Sequence, residues 1–327
     1  MSLSLIIPVH NDPDGLCQLL EQVAGLGIFE AVIVSDDASD PPCRPADLGF
    51  DEAALKVRYL RSETQRGAGH ARNRALETVT TEHVLFFDSD DLLLPALKDL
   101  WESLQAEAAD PFDFCLFRHI DSRQRVLEDA TVLGPMPSDQ ALWARAGVLH
   151  QKPYLITPDQ VAQLVSIAAY PWNKIYRTEF LREQAISCTE IMVHNDIELH
   201  WMSFLKARRI LVSAALCCEH IIQAGGNRLT NRRGAERLQV FDALEPVHAV
   251  LATQGVQPDL LVAFVGFYTR LFDWILVTLD GAYQAEFRHR ASLFLRRHLC
   301  AATMALIAVR DPELAQLILS HIREGWS

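Results

Sequence analysis

The first hundred residues alternate short apolar runs with amphipathic stretches. "LSLIIPV" (3–9) is continuously apolar but for one serine and ends at the polar pair His10–Asn11, which predicts a strand buried on both faces. Residues 13–26 place Leu16, Leu19, Leu20 and Val23 at helical spacing. "EAVIVSDDASD" reads as a second buried strand that stops at an acidic, turn-rich loop, and "LKVRYLRS" as a third. "ETQRGAGHARNRALETV" is a glycine loop opening a helix, and "TEHVLFFDSDD" a fourth strand that again ends in acids. Strands alternating with helices predict an α/β fold, its sheet mostly parallel and covered by helices on both faces. In such sheets ligands bind beyond the carboxyl ends of the strands. Those ends carry His10–Asn11, Asp36–Asp37, Arg66 to Arg74 and Asp88 to Asp91, so every polar cluster of the first 95 residues falls on one edge.

Residues 112–225 are less regular, with strand-like pieces at 112–120 and 209–222, short helices, and "YPWNKIYRTEFL" leading into "VHNDIELHWMSFLKA". From about residue 232 the pattern is wholly helical, with helices expected at 232–254, 257–280, 282–308 and 311–324 as a C-terminal appendage. The most apolar window, 260–279, is long enough to span a bilayer but carries Arg270 and Asp273. Each would cost about 3 kcal/mol at the centre of a membrane, so a buried helix, or one lying on a membrane or partner surface, is expected.

Charge narrows the partners. The 327 residues carry a net charge of −12 with no long Lys/Arg block, which excludes nucleic-acid binding through an overall basic field. A partner with phosphates would then need a metal ion or a few placed arginines. Seven scattered cysteines without CxxC spacing point to a reducing compartment and away from a zinc site or disulfide framework. The N-terminus moves directly into a strand, so no secretory leader is expected, and the expected location is cytoplasmic, with a peripheral position at the inner face of the membrane as the alternative.

"FFDSDDLLLP" (86–95) sets Asp88, Asp90 and Asp91 beside a greasy strand. Two carboxylates about 4 Å apart repel by roughly 4 kcal/mol at an effective dielectric near 20, so water, hydrogen bonds or a cation must relieve them. "RGAGHAR" lacks the third glycine of a dinucleotide fingerprint and follows the third strand rather than the first, which counts against a dehydrogenase. Its helix start can face an anion, with Arg72 or Arg74 adding charge, or be a plain helix N-terminus with surface arginines. "SDDASD" offers Asp36, Asp37 and Asp40 either to a base and ribose or to a turn and helix cap.

Together "LIIPVHN", "VIVSDDASD", "RGAGHARNRAL" and "LFFDSDDLLLP", in this order and spacing, resemble the inverting family 2 glycosyltransferases with the GT-A fold. The resemblance covers residues 3 to about 225. It implies a GT-A (nucleotide-diphospho-sugar transferase) domain over 1–230, with a nucleotide-binding half (1–110) and an acceptor half (111–230), followed by a helical region at 231–327. Its implied branch is the one that builds bacterial polysaccharide and lipopolysaccharide. Carried over by position, Pro8 and His10 would line the base, although the family more often has Tyr at the latter. Asp37 would hydrogen-bond the base with Asp36 beside it, and Arg72 would lie near the donor's phosphates or sugar. Asp88 and Asp90 match the D-x-D pair, Asp90 as direct ligand of Mn²⁺ or Mg²⁺ and Asp88 nearer ribose or water, while Asp91 would contact donor sugar or cap a helix begun by the leucines and Pro95. Hard cations prefer such oxygens and keep phosphates among their other ligands.

Inversion needs a base to deprotonate the acceptor hydroxyl. In "VHNDIELHW" Asp196 matches the family's acid, while Asn195 stands where a Glu is usual, with Glu198 and His194 as lesser candidates. A stripe of Ile197, Trp201, Phe204 and Leu205 would seat the following helix on the core. The alternative for Asp196 is a routine N-cap. Trp172 is offered either to a sugar face or to the core, and Lys174 to donor phosphate or acceptor. His220 would add a metal or diphosphate contact, with Asn227, Arg228 and Thr230 closing over the diphosphate about Gly225 and Gly226.

The activity implied is metal-dependent transfer from a nucleotide-diphosphate sugar, a UDP-sugar favoured, to a hydroxyl of a glycan or lipid-linked acceptor. The alternatives are a non-catalytic nucleotide-sugar-binding protein on the same fold and a sugar-phosphate nucleotidyltransferase. The last wants a G-x-G-x-R loop where "HNDPDG" stands. The C-terminal helices could form a homodimer interface, cover the acceptor cleft or make a peripheral membrane contact, for which Arg288, Arg290, Arg296 and Arg297 offer a basic group, although a solvated face is preferred for these arginines.

Overall fold

The computed structural model describes residues 1–107, 110–125, 133–222, 232–253 and 258–325. The N-terminal half runs β1 (Leu3–Val9), α1 (Pro13–Leu26), β2 (Ala31–Asp36), β3 (Val57–Arg61), α2 (Ala68–Leu76) and β4 (His83–Phe86), the elements its hydrophobic pattern predicts. It continues through β5 (Leu92–Leu93), α3 (Ala96–Glu107), β6 (Phe114–Asp121), α4 (Pro137–Ala146), β7 (Tyr154–Leu155), α5 (Pro158–Leu164), β8 (Lys174–Arg177), α6 (Thr178–Glu183), α7 (Ile197–Lys206) and β9 (Ile210–His220). Five helices follow: α8 (Val240–Thr253), α9 (Pro258–Thr278), α10 (Gly281–His298), α11 (Ala301–Arg310) and α12 (Pro312–Glu324).

The strands form one sheet in the order β3-β2-β1-β4-β8-β6-β9-β5, with β7 also paired to β9. The β1, β2, β3 and β4 pairings are parallel, and each of these strands but the edge strand β3 is buried along its length, because helices cover both faces. Beyond β4 the sheet is mixed. β8 runs antiparallel between β4 and β6, and β6 pairs β9 in parallel. The mostly parallel reading therefore describes the first half, while the antiparallel β8 threads the second half into the middle of the sheet. Leu92 and Leu93 do not begin a helix but form β5 against β9.

The C-terminal helices are continuous with the core rather than hung from it. Trp201 of α7 packs against Phe264 of α9 at 4.8 Å between ring centroids, and one buried cluster runs from Ile6 and Phe86 through Trp201 to Phe272, Phe294 and Ile318. Such an aromatic pair contributes about 0.5–1.5 kcal/mol beyond the area it buries. The predicted helix at 282–308 is two, α10 and α11, bent by 100° at Leu299–Cys300. Among the described residues α9 is the one single helix long and apolar enough to cross a bilayer, yet Phe264, Tyr268, Phe272 and Ile275 face the protein's own core. Of the four arginines considered for a membrane contact, Arg288 pairs with Glu324, Arg290 with Glu286 and Arg297 with Glu245.

Candidate active site

The carboxyl edge of the parallel half carries the polar residues as expected, but with a division of labour. Asp36, at the last position of β2, is fully buried and accepts from Tyr59 Oη (2.6 Å), Ser39 N (2.7 Å) and Cys43 N (2.9 Å). Burial works against its charge, but the Tyr59 and main-chain bonds outweigh that and hold its pKa below the usual carboxylate value. With both oxygens engaged, Asp36 shapes the loop and does not face a nucleotide, which corrects its assignment to donor binding. Asp37, beside it, accepts from the backbone N–H of Arg66 (2.8 Å) and Gly67 (2.7 Å). The helix start that seemed ready for a ligand anion thus already holds one from its own chain. A carboxylate has about four acceptor sites, so two bonds leave Asp37 capacity for a base N–H. His10 is half-buried, its Nδ1 donating to the Asp37 carbonyl (2.7 Å) while Nε2 accepts from Asn11 Nδ2 (3.1 Å), and Pro8 is buried in β1.

The two glycines of "RGAGHAR" serve packing. Gly67 has φ +92°, a conformation that side chains avoid, and a Cβ there would come 3.0 Å from the Ile191 carbonyl. A Cβ at Gly69 would collide with the Thr189 carbonyl and come 2.9 Å from Asn195 Cβ. These glycines let the start of α2 press against the 188–196 loop, and Asn73 reinforces the contact through the backbone of Cys188.

Arg72, one turn into α2, is buried at this junction. Its Nη2 donates to Asp88 Oδ1 and its Nη1 to Asn195 Oδ1 (2.7 Å). Burial disfavours its charge, yet Asp88 more than restores it, and its pKa is raised. One guanidinium, whose planar fork suits two acceptors at once, joins the acidic loop after β4 to the residue before Asp196.

Asp88, Asp90 and Asp91 can each bring one oxygen within 4.8 Å of the others. Asp91, only 2% exposed, is set by the β5–β9 ladder: Leu92 pairs with Glu219, which places Asp91 against His220. Its oxygens accept from His220 Nδ1 (2.9 and 3.1 Å) and Ile221 N (2.9 Å). Burial raises the Asp91 pKa and the imidazole works against the rise. Asp91 therefore neither caps α3 nor opens toward a sugar, and His220 holds it through Nδ1, a contact that does not use the Nε2 expected to reach a metal or diphosphate. The loop is tied on its other side by Ser89, whose hydroxyl donates to Asp12 at the start of α1 (2.7 Å).

Trp172 and Lys174 correct the expectation that they face donor or acceptor. Trp172, 1% exposed, stacks on Tyr170 at 4.3 Å and contacts His119 and His220 edge-on or tilted, so it is the floor beneath the His220–Asp91 pair. Lys174 is 0% exposed at the start of the central strand β8, and its Nζ donates to Tyr170 O (2.8 Å) and Asn173 Oδ1 (2.6 Å). Burial brings its pKa down to about 7, against the pull of Asp196 and Asp139. A central position in the sheet, invisible to a local pattern, puts both side chains under the cleft.

Asp196 sits at the N-cap position of α7, and its side chain makes no capping bond. Burial pushes its pKa up to about 6; Arg72 opposes the rise and Asp88 adds to it. The two lesser base candidates are engaged elsewhere. Glu198 Oε2 accepts from the Thr189 hydroxyl (2.6 Å), and His194 Nε2 lies 3.2 Å from Arg237 Nη1, with burial and that arginine bringing its pKa down to about 3. Pattern reasoning missed Arg237 altogether, since nothing local marks an arginine that will be buried. Asn227, Arg228, Thr230, Gly225 and Gly226 lie outside the described residues.

Known proteins resemble this chain in sequence and in fold. The chain is 26% identical over 223 residues to the poly(ribitol-phosphate) beta-N-acetylglucosaminyltransferase TarS of Staphylococcus aureus, a match covering 65% of this chain and 34% of TarS. It is 20% identical over 329 residues to a poly(ribitol-phosphate) beta-glucosyltransferase of Bacillus spizizenii, covering 99% of this chain and 47% of that one. The chain thus spans between a third and a half of the length of these relatives. The structure of residues 1–349 of TarS with UDP-GlcNAc superposes with a TM-score of 0.71 at 19% identity, covering 99% of this chain and 89% of that one. The C-terminal helices are therefore inside the shared fold, although the motifs stop before them. A mannosyltransferase of Pyrobaculum calidifontis with GDP-Man and Mn²⁺ gives a TM-score of 0.55 at 16% identity, covering 99% of this chain and 86% of that one. The model of glycosyl transferase family 2 matches residues 4–184, the stretch that holds β1 to α6 and the D-x-D loop, and on that match the chain belongs to glycosyl transferase family 2.

Proposed function

We propose that this chain is an inverting glycosyltransferase that moves a sugar from a nucleotide-diphosphate donor, a UDP-sugar favoured, to a hydroxyl of a polymeric or lipid-linked glycan acceptor. One observation carries the reading: Asp196 is a part-buried carboxylate with no capping bond, its pKa raised to about 6, joined through Asn195 and Arg72 to the D-x-D acid Asp88. A base poised near neutrality suits deprotonation of an acceptor hydroxyl, and Asp196 would take that proton as the hydroxyl attacks the anomeric carbon. His10 and Asp37, at the ends of β1 and β2, would receive the base of the nucleotide. The donor preference is supported by the UDP-GlcNAc complex of TarS, and a polyol-phosphate or related cell-envelope polymer as acceptor by the names of both curated relatives.

The residues fit a divalent cation. Three carboxylates converge within 4.8 Å, and because Asp91 is taken up by His220 and Ile221, Asp90 and Asp88 are the pair that would hold it. An all-oxygen set of this kind suits Mg²⁺ or Mn²⁺, which when bound would offset the negative charge of the departing diphosphate. Arg72 holds Asp88 in place and adds a positive charge on the same side.

Thermal-shift titration with UDP, with and without Mn²⁺, followed by assay of UDP release from UDP-sugars, tests this reading. UDP is expected to stabilise the chain only with metal, and Asp90→Ala to abolish that gain. Turnover should fall as pH drops through about 6, where the base becomes protonated. Metal-independent UDP binding, or full turnover in Asp90→Ala, would remove the assignment.

A further inference from the structure

With a net charge of −12, this chain repels a phosphate except where a cation or a placed arginine meets it. At the acidic loop a divalent cation would meet the diphosphate of the donor. The end of β6 carries a second such place, built around Arg123.

Asp121, the last residue of β6, is wholly buried, and Arg123 stands two residues on, in the 3₁₀ turn Ser122–Arg125. Arg123 Nε donates to Asp121 Oδ1 (2.9 Å) and Nη2 to Oδ2 (2.8 Å), while the Arg123 main-chain N–H adds a bond to Oδ1 (3.0 Å). A two-pronged pair of this kind fixes the plane of the guanidinium. The remaining nitrogen, Nη1, has no partner among the described residues, and 48% of the side chain is in solvent. Asp121 lies behind the guanidinium, so an incoming anion meets the N–H edge before the carboxylate. The ordering that a flexible arginine would lose on binding is already complete.

The position of Arg123 along the sheet edge decides what it faces. Asp121 is the register partner of His220, which holds Asp91 of the acidic loop at 2.9 Å. Ser122 Oγ accepts from Ile222 N (2.8 Å) and ties the two strand ends together. Lys174, in the intervening β8, is acted on by both Asp196 and Asp139, and Asp139 by Asp121, so the proposed base and the Arg123 pair share one neighbourhood. Across the sheet the order is β2-β1-β4-β8-β6. His10 and Asp37, which would receive the base of the nucleotide, follow β1 and β2, and the cation site follows β4. β6 lies two strands, about 10 Å, beyond β4 on the other flank. A donor laid along this line from base to diphosphate ends before Arg123, so an anion at Arg123 is one that the acceptor brings.

We propose that Arg123 is a specificity-determining residue, whose guanidinium takes a phosphodiester of an anionic polyol-phosphate acceptor and so positions the hydroxyl that Asp196 deprotonates. This deepens the glycosyltransferase reading above and rests on it. A planar fork with one edge held by a carboxylate keeps its free N–H groups for a phosphate oxygen. Binding made this far from the reacting centre serves to orient the hydroxyl.

Isothermal titration of the full chain, saturated with UDP and Mn²⁺, tests this with two probes. One is a ribitol-phosphate hexamer, the other the same hexamer with its phosphates methylated to uncharged triesters. Wild type should bind the hexamer and hold the triester about tenfold more weakly. Arg123→Gln, which can still donate to Asp121, should raise the hexamer Kd about tenfold, the loss of one charged hydrogen-bonded contact, and leave the triester and UDP affinities unchanged. Arg123→Lys should recover part of the hexamer affinity. The double variant Asp121→Asn with Arg123→Gln leaves no buried charge unpaired, so it should bind like Arg123→Gln while melting as wild type. A hexamer that fails to bind, equal affinity for hexamer and triester, or wild-type hexamer affinity in Arg123→Gln would each overturn the proposal. An equal loss of UDP affinity in Arg123→Gln would also overturn it, by giving the anion to the donor. Failure of wild type to bind UDP with Mn²⁺ in the preceding titration would instead count against the donor reading.

Discussion

The two sides of the cleft put the same kind of side chain to opposite uses. On the β2 side, Asp36 is wholly buried yet held below its usual pKa, because Tyr59 and two main-chain N–H groups supply what water would have given. In the second half, Asp196 and Asp139 are held near 6 and Lys174 near 7, each by burial that too few hydrogen bonds offset. Burial alone does not make an acid reactive. The count of donors around it decides whether it becomes a structural tie or a group poised to exchange a proton.

The largest effect should come from removing the charge at the poised acid. Asp196→Asn is expected to lower kcat by about 10²–10⁴, with little change in melting temperature and with loss of the acid limb near pH 6. An unchanged rate would break the comparison at its reactive end. Asp36→Ala should do the reverse, costing about 3 kcal/mol of stability by chemical denaturation because three buried donors lose their acceptor, while whatever protein remains folded keeps its donor response. Wild-type stability in that variant would show that the ties around Asp36 carry nothing.

A third measurement separates the halves by pH. The folded-state pKa of Asp139 is raised from 3.8 to about 6 by burial, so its contribution to stability is greatest below 3.8 and is lost as pH rises through about 6. That rise corresponds to about 3 kcal/mol at most. Asp139→Asn, which can still accept from Ala168 N, should therefore gain on wild type between pH 4 and pH 8 by up to that amount, read from denaturant curves at each pH. Asp36 has the opposite sign: its contribution is present above the unfolded pKa and fades as pH falls through the lower folded one. Parallel pH profiles for the two variants would refute the contrast. The smallest effect is expected at the seam, where Gly69→Ala should cost about 1–3 kcal/mol by forcing the 188–196 loop away from α2.

Much of this was legible locally. Each strand of the first half is a short apolar run ended by acids, and helix-spaced leucines between them define α1, so the cleft edge could be placed from pattern alone. Asp196 came from its match to the family's acid, since locally an acid before a helix reads equally as an N-cap. The rest depended on long-range pairing. Asp91 meets His220 across 129 residues, and only the β5–β9 register puts them together. Trp172 and Lys174 look like cleft residues until β8 is seen between β4 and β6. The break at Leu299–Cys300 has no proline or glycine to announce it, and Arg237 is ordinary until α9 covers it. The glycines at 67 and 69 marked a helix start open to an anion, and only the fold shows the close approach of the 188–196 loop that they allow.

The tight seam between α2 and the 188–196 loop also bears on how such proteins could be recombined. Because β8 lies inside the sheet of the first half and Gly69 leaves no room for a larger side chain against Thr189 and Asn195, the segment that presents Asp196 cannot be exchanged as a free-standing cassette. A chimera would keep residues 67–73 and 188–196 from a single parent and place its junctions further along, among the C-terminal helices. Those junctions would still have to keep the contact of Trp201 with Phe264, because α9 shares one core with α7.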